Sequence, residues 1–273
     1  MKKIFLLLIL SISTFSYERV VSTVPSLTQT LVSLGLETKI VGVSQFCSFK
    51  TQACSKPKVG TSLDLNYEKI FSLKPDLVIV SSTTKNSILK NLKKLKIEVK
   101  SFSHDSLSDV LSTIKGMGEV FKVNSRAQHI IENINKEISP LEDHVGKRVI
   151  LVIGSTIRDG EIVNAYIAGS GSFYNDIFTK MGIVNAYGET TSAYPQLDRE
   201  RIEGLETDYI IQIFDKESSQ KKSQHTVAWN RVLTKMKKTP KYFPLYGEYL
   251  FIPGPKIGEI AKSFSKVIGH SND

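Results

Sequence analysis

Asn66-Tyr67-Glu68-Lys69-Ile70-Phe71-Ser72-Leu73-Lys74-Pro75-Asp76-Leu77-Val78-Ile79 returns 132 residues later as Asp198-Arg199-Glu200-Arg201-Ile202-Glu203-Gly204-Leu205-Glu206-Thr207-Asp208-Tyr209-Ile210-Ile211. Each copy opens on a capping residue (Asn66, Asp198), carries a glutamate two positions on (Glu68, Glu200), and ends on an aspartate before an apolar run. Asn and Asp cap helices because their side-chain oxygens accept orphan N–H groups of the first turn. Each copy therefore predicts a short capped helix, a tight turn and a buried strand. An α/β protein can repeat such a unit by chance. Keeping cap, acid, apolar pair and aspartate in one register points instead to two pseudo-symmetric lobes, although one repeated unit is not a solenoid.

Outward from these copies, short β-branched runs alternate with helical spacing. Strands are predicted over 19–23, 40–43, 76–80 and 99–102, with helices over 27–34, 67–73 and 88–95 between them. Such alternation argues for a parallel sheet in an α/β layer. Two helical stretches, 107–121 and 127–138, then follow without a strand between them. In the second, Ala127, Ile130, Ile131, Ile134 and Ile138 share a face, and Asn124 or Ser125 is expected to cap it. Pro140 should end or kink it. A helix over 123–139 reaches about 25 Å at 1.5 Å per residue, enough to bridge two lobes. Alternation resumes with strands or helices over 148–153, 173–181, 199–205, 209–214, 227–236, 242–245 and 257–268. The expected architecture is α/β: two Rossmann-like lobes, 17–122 and 146–273, joined by one long bridging helix within 123–145, with a ligand cleft between them.

The N-terminus pairs Lys2 and Lys3 with an apolar run from Ile4 to Ile12, then small residues up to Ser16. This reads as a secretory signal over 1–16, too short to span a membrane. No cysteine follows the run, so a soluble periplasmic product is expected. The chain holds 36 Lys and Arg against 27 Asp and Glu, a net charge of +9 that falls to +7 once Lys2 and Lys3 are removed. Clustered cations suit nucleic acid, but an exported chain does not meet it, so the excess reads as a solvated surface. No nucleic-acid partner is expected.

Cys47 and Cys54 lie seven apart in a polar stretch. In an oxidising compartment they can form a local disulfide; free thiols or half of a metal site are the alternatives. The five histidines are scattered, which weakens the metal option. Enzyme signatures are missing. Gly169-Ser170-Gly171-Ser172 lacks the third glycine of a dinucleotide fingerprint and the ending of a P-loop, and it is not a nucleophile elbow. No catalytic residue, metal site or resident cofactor is expected. Aromatics fall in predicted connections instead: Phe46 and Phe49 around Cys47, Tyr166 before the glycine-rich turn, Tyr194 before Pro195, and Tyr246 and Tyr249 after a strand. Open α/β sheets bind ligands beyond the carboxyl ends of their strands, where rings supply apolar area at small entropy cost.

The ordered set Arg19 to Thr30, Val41-Gly42-Val43, Lys58-Val59-Gly60, Glu68 with Lys74-Pro75-Asp76, Ala168 to Phe173, Tyr194-Pro195-Gln196-Leu197 and Pro253-Gly254-Pro255-Lys256-Ile257 resembles the helical-backbone (class III) substrate-binding proteins of ABC importers. That family carries cobalamin, ferric siderophores and haem, and this chain looks most like its cobalamin-binding branch. The resemblance implies that Glu68 and Glu200 dock onto arginines of a permease dimer. It also implies that Phe46, Tyr166 and Tyr194 are aromatic walls and Glu248 an acidic contact. Ser62 and Tyr249 complete the expected ligand-binding set. Ser62 stands where the cobalamin binder has a tryptophan, and Ile252 where it has an arginine.

The expected function is capture of a metal-containing corrinoid in the periplasm and its delivery to an ABC permease, by a monomer that meets the membrane only through that permease. A ferric siderophore or haem is the alternative ligand. A secreted hydrolase or lyase using the cleft, and an adhesion or sensor module, are the readings from other classes.

Overall fold

A computed structural model describes residues 17–188 and 192–269. The expected signal segment, 1–16, lies outside the described residues. The first lobe runs β1 (Val20–Ser22), α1 (Pro25–Ser33), β2 (Ile40–Val43), α2 (Tyr67–Ser72), β3 (Leu77–Ser81), α3 (Asn86–Lys94), β4 (Glu98–Phe102) and α4 (Leu107–Val120). Its four strands form a parallel sheet in the order β2-β1-β3-β4. All five residues of β3 are buried, as a central parallel strand covered on both faces requires. Pro25 starts α1 at a position that needs no N–H. Ser106 and Asp109 close a reciprocal capping box on α4, with N–H to side-chain distances of 3.0 and 3.1 Å.

α5 (Asn124–Glu137) follows α4 directly. Its cap position is Val123, with no side-chain cap bond, so the expected capping role of Asn124 or Ser125 is corrected: the turn out of α4 already starts the helix one residue earlier. The 14 residues span about 21 Å, and the helix ends three residues before Pro140. It is fastened to both lobes. Arg126 Nε donates to the Ser33 carbonyl (2.9 Å) on one side, while Lys180 reaches Asn135 (2.8 Å) and Lys262 reaches Glu137 (2.7 Å) on the other.

The second lobe comprises β5 (Arg148–Arg158), β6 (Glu161–Ile167), α6 (Phe173–Lys180), β7 (Val184–Asn185), β8 (Gln196–Asp198), α7 (Arg199–Glu203), β9 (Tyr209–Phe214), α8 (Ser219–Leu233), β10 (Lys241–Tyr246) and α9 (Ile257–Gly269). β10, β9, β5 and β7 are parallel, but β6 and β8 run antiparallel. The second sheet is therefore mixed, and β5 extends five residues past the expected strand. Asp159 and Gly160 explain this: both have positive φ (54° and 74°) and form a two-residue hairpin whose twist matches the strands it joins.

One continuous apolar core runs through both lobes, packing α1 and α4 against α5, α6 and α9, with Leu27, Ile114, Ile134, Ile177 and Phe264 among its fully buried members. The outer face of each sheet has its own cluster, around Ile70 and Val78 in the first lobe and Trp229 and Ile210 in the second.

The internal echo takes the same shape in both lobes. Asn66 Oδ1 accepts the Lys69 N–H at 2.8 Å, and Asp198 Oδ1 accepts the Arg201 N–H at 2.9 Å. Asp76 and Asp208 each then precede a buried strand.

Candidate functional site

Two adjoining chambers lie at the carboxyl ends of the parallel strands, where an open α/β sheet leaves room for a ligand. The larger, about 690 Å³, sits between the lobes, with Gln29, Phe49 and Lys50 on one side and Asp215, Glu248 and Tyr249 on the other. The second, about 520 Å³, lies over β5 and β9, with Ser155, Gln212 and Phe214 in its floor and His225 and Phe251 beside them. Asp215 lines both. Each volume is in the range of small-molecule sites.

The first-lobe wall of the larger chamber is a pinned loop. Cys47 and Cys54 are joined by a disulfide, Cα to Cα 5.2 Å, and residues 48–51 between them line the chamber. Lys58 Nζ donates to the carbonyls of both cysteines (2.7 and 2.9 Å), so one ammonium closes the loop from below. Burial lowers the pKa of that ammonium. Glu37 accepts the Ala53 N–H at 2.8 Å and fixes the far end.

On the facing wall, the Tyr249 hydroxyl bonds Ser263 Oγ of α9 at 2.8 Å, and Glu248 lies 3.8 Å from Lys216. Gly247 holds φ 152°, and a Cβ there would strike the Tyr249 ring, so glycine is required for the chain to present these two side chains. Ile252 lines the same chamber.

Of the six residues expected to contact ligand, Glu248 and Tyr249 meet in the larger chamber; Phe46, Ser62, Tyr166 and Tyr194 stand outside both chambers. Phe46 is 66% exposed just after β2, and Ser62 is half-buried in the 61–64 turn. Tyr166, 46% exposed, is on β6 opposite Gly154 and not in a connecting segment. The reason is the unanticipated hairpin, which turns the expected connection into a strand. Tyr194, 41% exposed, sits edge-on to Tyr174 with centroids 6.4 Å apart. Burial of its hydroxyl, aided by the charge of Asp105 from the first lobe, pushes its pKa up to about 12. Tyr174 is anchored through its hydroxyl to the Leu250 carbonyl at 2.6 Å, and burial raises its pKa well above the usual value. The residues not singled out in advance are Ser155, Gln212, Phe214, His225 and Phe251. Asp159-Gly160 was the signal for Ser155, since the hairpin it marks carries β5 through that position.

Glu68 and Glu200 are exposed in the first turns of α2 and α7. Neither carboxylate enters an ion pair among the described residues. Their neighbours differ. Phe71, one turn from Glu68, is 62% exposed, whereas its counterpart Glu203 holds Arg199 at 2.6 Å, with Glu161 on the same guanidinium at 2.5 Å. Among the described residues no group of three or more His, Cys, Asp or Glu is placed to hold a metal ion, and no helix is long and apolar enough to cross a membrane.

Residues 20–238 match the family model described as periplasmic binding protein. An uncharacterized ABC transporter substrate-binding lipoprotein of Bacillus subtilis is 26% identical over 205 residues, covering 71% of this chain and 63% of that protein. A cobalamin-binding protein of Halobacterium salinarum is 29% identical over 205 residues, covering 71% of this chain and 53% of that protein. The matches thus span less than two thirds of the length of these curated relatives. The crystal structure of a periplasmic heme-binding protein from Pseudomonas aeruginosa superposes with a TM-score of 0.73 at 20% identity, covering 93% of this chain and 94% of that one, a likeness of fold.

Proposed function

The chain belongs to the periplasmic binding protein family, and from that premise we propose that it captures a corrinoid between its lobes and hands it to an ABC permease, with no bond made or broken. The observation that carries this reading is the chamber between the lobes, one wall pinned by the Cys47–Cys54 disulfide and the other presenting Glu248 and Tyr249, with a second chamber of the second lobe adjoining it. Phe46, Tyr166 and Tyr194 stand outside both chambers, and their exposed rings offer apolar area to a bulky, partly apolar ligand that extends beyond them. The cobalamin-binding relative supports the corrinoid. Docking falls to Glu68 and Glu200: two uncommitted carboxylates, one per lobe, suit arginines of a two-fold permease. The chain would work as a monomer in the periplasm, reached through the signal over 1–16.

Haem is the second reading. Lys50, Lys216 and Lys256 line the larger chamber and offer partners for ligand carboxylates, and a heme-binding protein shares the fold.

Calorimetric titration of the purified protein with cyanocobalamin, haemin and a ferric siderophore tests the reading. Cyanocobalamin binding with a Kd below about 10 μM, roughly −7 kcal/mol, is expected. Failure of all three ligands at that level overturns the importer reading, and tighter binding of haemin replaces the corrinoid by haem.

A further inference from the structure

The basic excess of the chain is concentrated in one place. Residues 77–104 hold six lysines and one acid, Glu98, a net +5, so the rest of 17–273 carries only +2. The centre of this stretch is α3, whose Ile88 and Leu92 are buried in the outer cluster of the first lobe. At about 100° per residue, Lys90, Lys93 and Lys94 fall on the opposite side of the helix. Lys85 stands at its head and Lys96 just past its end, and all five are exposed.

A solvated helix face usually interleaves acids with its lysines. This one does not. Glu98 is committed to Lys100 at 3.1 Å, and Lys85, Lys90, Lys93, Lys94 and Lys96 enter no ion pair among the described residues. Elsewhere on the molecule Lys39, Lys238 and Lys262 each meet a carboxylate. Lys90 faces Lys93 and Lys94 three and four positions on, spacings at which like charges destabilise a helix. The helix macrodipole accounts for Lys93 and Lys94 in the last turn. It does not account for Lys85, which occupies the cap position without a side-chain cap bond and at the positive end of the dipole.

We propose that the lysine face of α3 is a docking surface for an anionic lipid membrane. Five uncommitted ammonium groups on one helix match a layer of acidic headgroups by charge. All five are lysines, hydrated point charges that suit mobile headgroups, whereas one phosphate held in a fixed place favours the forked guanidinium of arginine. No large apolar side chain is exposed on α3, so the contact is electrostatic and does not insert. None of the five lysines lines either chamber, which keeps this surface separate from the cleft. The proposal adds a direct membrane contact to the one expected through a permease, and adsorption confines the search for that permease to two dimensions. It goes beyond the cargo reading and needs no ligand.

Sedimentation with lipid vesicles tests this surface. Vesicles of phosphatidylcholine with about 30% phosphatidylglycerol should carry down the purified protein in about 50 mM salt, and vesicles of phosphatidylcholine alone should not. Raising the salt to about 300 mM should weaken binding at least about fivefold, because exposed charges are screened. Lys85→Gln with Lys90→Gln, Lys93→Gln and Lys94→Gln should lower the partition coefficient at least about tenfold. The circular dichroism spectrum should not change, since glutamine suits a helix as well as lysine does. A second variant removes the same charge from exposed lysines elsewhere: Lys115→Gln with Lys136→Gln, Lys235→Gln and Lys266→Gln. It should bind within about threefold of the parent protein if the patch, and not net charge, is what the membrane meets. No binding to the anionic vesicles, or equal losses in the two variants, overturns the proposal. Capture of a single-stranded oligonucleotide through the α3 lysines by a protein that ignores the vesicles also overturns it and makes the partner a nucleic acid.

Discussion

Asp208 accepts the backbone N–H of Arg148 at 2.8 Å, and Asp76 accepts that of Arg19 at 3.0 Å, so the aspartate closing each copy of the echoed stretch fastens the first strand of its own lobe. The arginines repeat the symmetry. Arg148 Nε donates to the Glu206 carbonyl at 2.8 Å, and Arg19 Nε to the Lys74 carbonyl at 3.0 Å; the two carbonyls are displaced by the same 132 residues, the two arginines by 129. Each short helix carrying an exposed glutamate is therefore held in register with the sheet at its back end, where its turn enters the next strand.

This arrangement makes Asp208 pH-sensitive. Burial alone would raise its carboxyl pKa, but the Arg148 N–H and the Lys238 ammonium hold it below the usual carboxylate range. A depressed folded-state pKa stabilises the fold above the unfolded value, near 3.9, and that contribution disappears as pH falls through the folded value. Asp208→Asn should cost about 1–3 kcal/mol at pH 7, and its urea-denaturation curve should approach that of the parent protein as pH falls below the usual carboxylate range. A gap between the two proteins that stays constant with pH would show that the charge plays no part.

The echoed units were legible because capping and strand burial are local: Asn66, Asp198 and the two apolar runs lie within a dozen residues. Arg19 and Arg148 were not, because each meets its carbonyl partner 55 or 58 residues away. Asp159-Gly160 carried a strong hairpin signal, but the apolar run before it stops at Ile153, and the extension through Ser155 pairs with β6 and not with a buried face. Of the candidate site, Tyr249 sits beside a strand end and was recoverable from that place in the pattern, whereas Glu248 came only from what the family resemblance implies. Gln212 and His225 come from a central strand and a helix, and only the packing around Trp229 and Ser155 brings them together.

Charge reversal tests docking. Glu68→Lys with Glu200→Lys should abolish ligand uptake by cells while the Kd of the purified protein for its ligand stays within twofold, because both carboxylates lie outside the chambers and outside any ion pair among the described residues. Single reversals should fall between, since each lobe is expected to meet its own permease subunit. Normal uptake by the double variant would remove both residues from the docking surface.

Removing the disulfide should weaken both the fold and the ligand wall. A bridge seven residues apart restrains the unfolded chain by about 2–3 kcal/mol in the loop-entropy treatment. Cys47→Ser with Cys54→Ser should lower stability by that order, and it should weaken ligand binding because residues 48–51 line the chamber. Lys58→Met should reproduce part of the effect with the disulfide intact, since its ammonium holds both cysteine carbonyls. Unchanged affinity in both variants would place the loop outside the binding wall.

Gln212→Leu should be far more costly than its size change suggests. It leaves the Trp229 N–H without its partner at zero exposure and deprives the Tyr242 hydroxyl, which burial keeps protonated well above the usual tyrosine range, of its acceptor. Two stranded donors at about 1–3 kcal/mol each predict a loss of roughly 2–5 kcal/mol. Denaturation followed by tryptophan emission reads this directly, because Trp229 is the only indole. A loss below about 1 kcal/mol would mean that water replaces the amide.

The bridging helix limits how far the lobes can part. Arg126 ties α5 to α1, Lys262 and Asn135 tie it to α9 and α6, and the backbone N–H of Leu107 donates across the boundary to Asp176 at 2.8 Å. Gly258 packs so closely on the Glu137 side chain that a Cβ would collide with it, so α9 has no slack to slide along α5. Wide closure would have to break these bonds and the apolar core that runs beneath them, whereas a two-strand hinge would only rotate backbone torsions. Small-angle scattering should therefore give a radius of gyration near 18 Å, the compact-domain value for about 257 residues, that changes by less than about 1 Å when ligand is added. Gly258→Val, which forces α9 away from α5, should increase that difference and lower stability. A compaction of several ångströms in the parent protein would show that α5 is a hinge and not a brace.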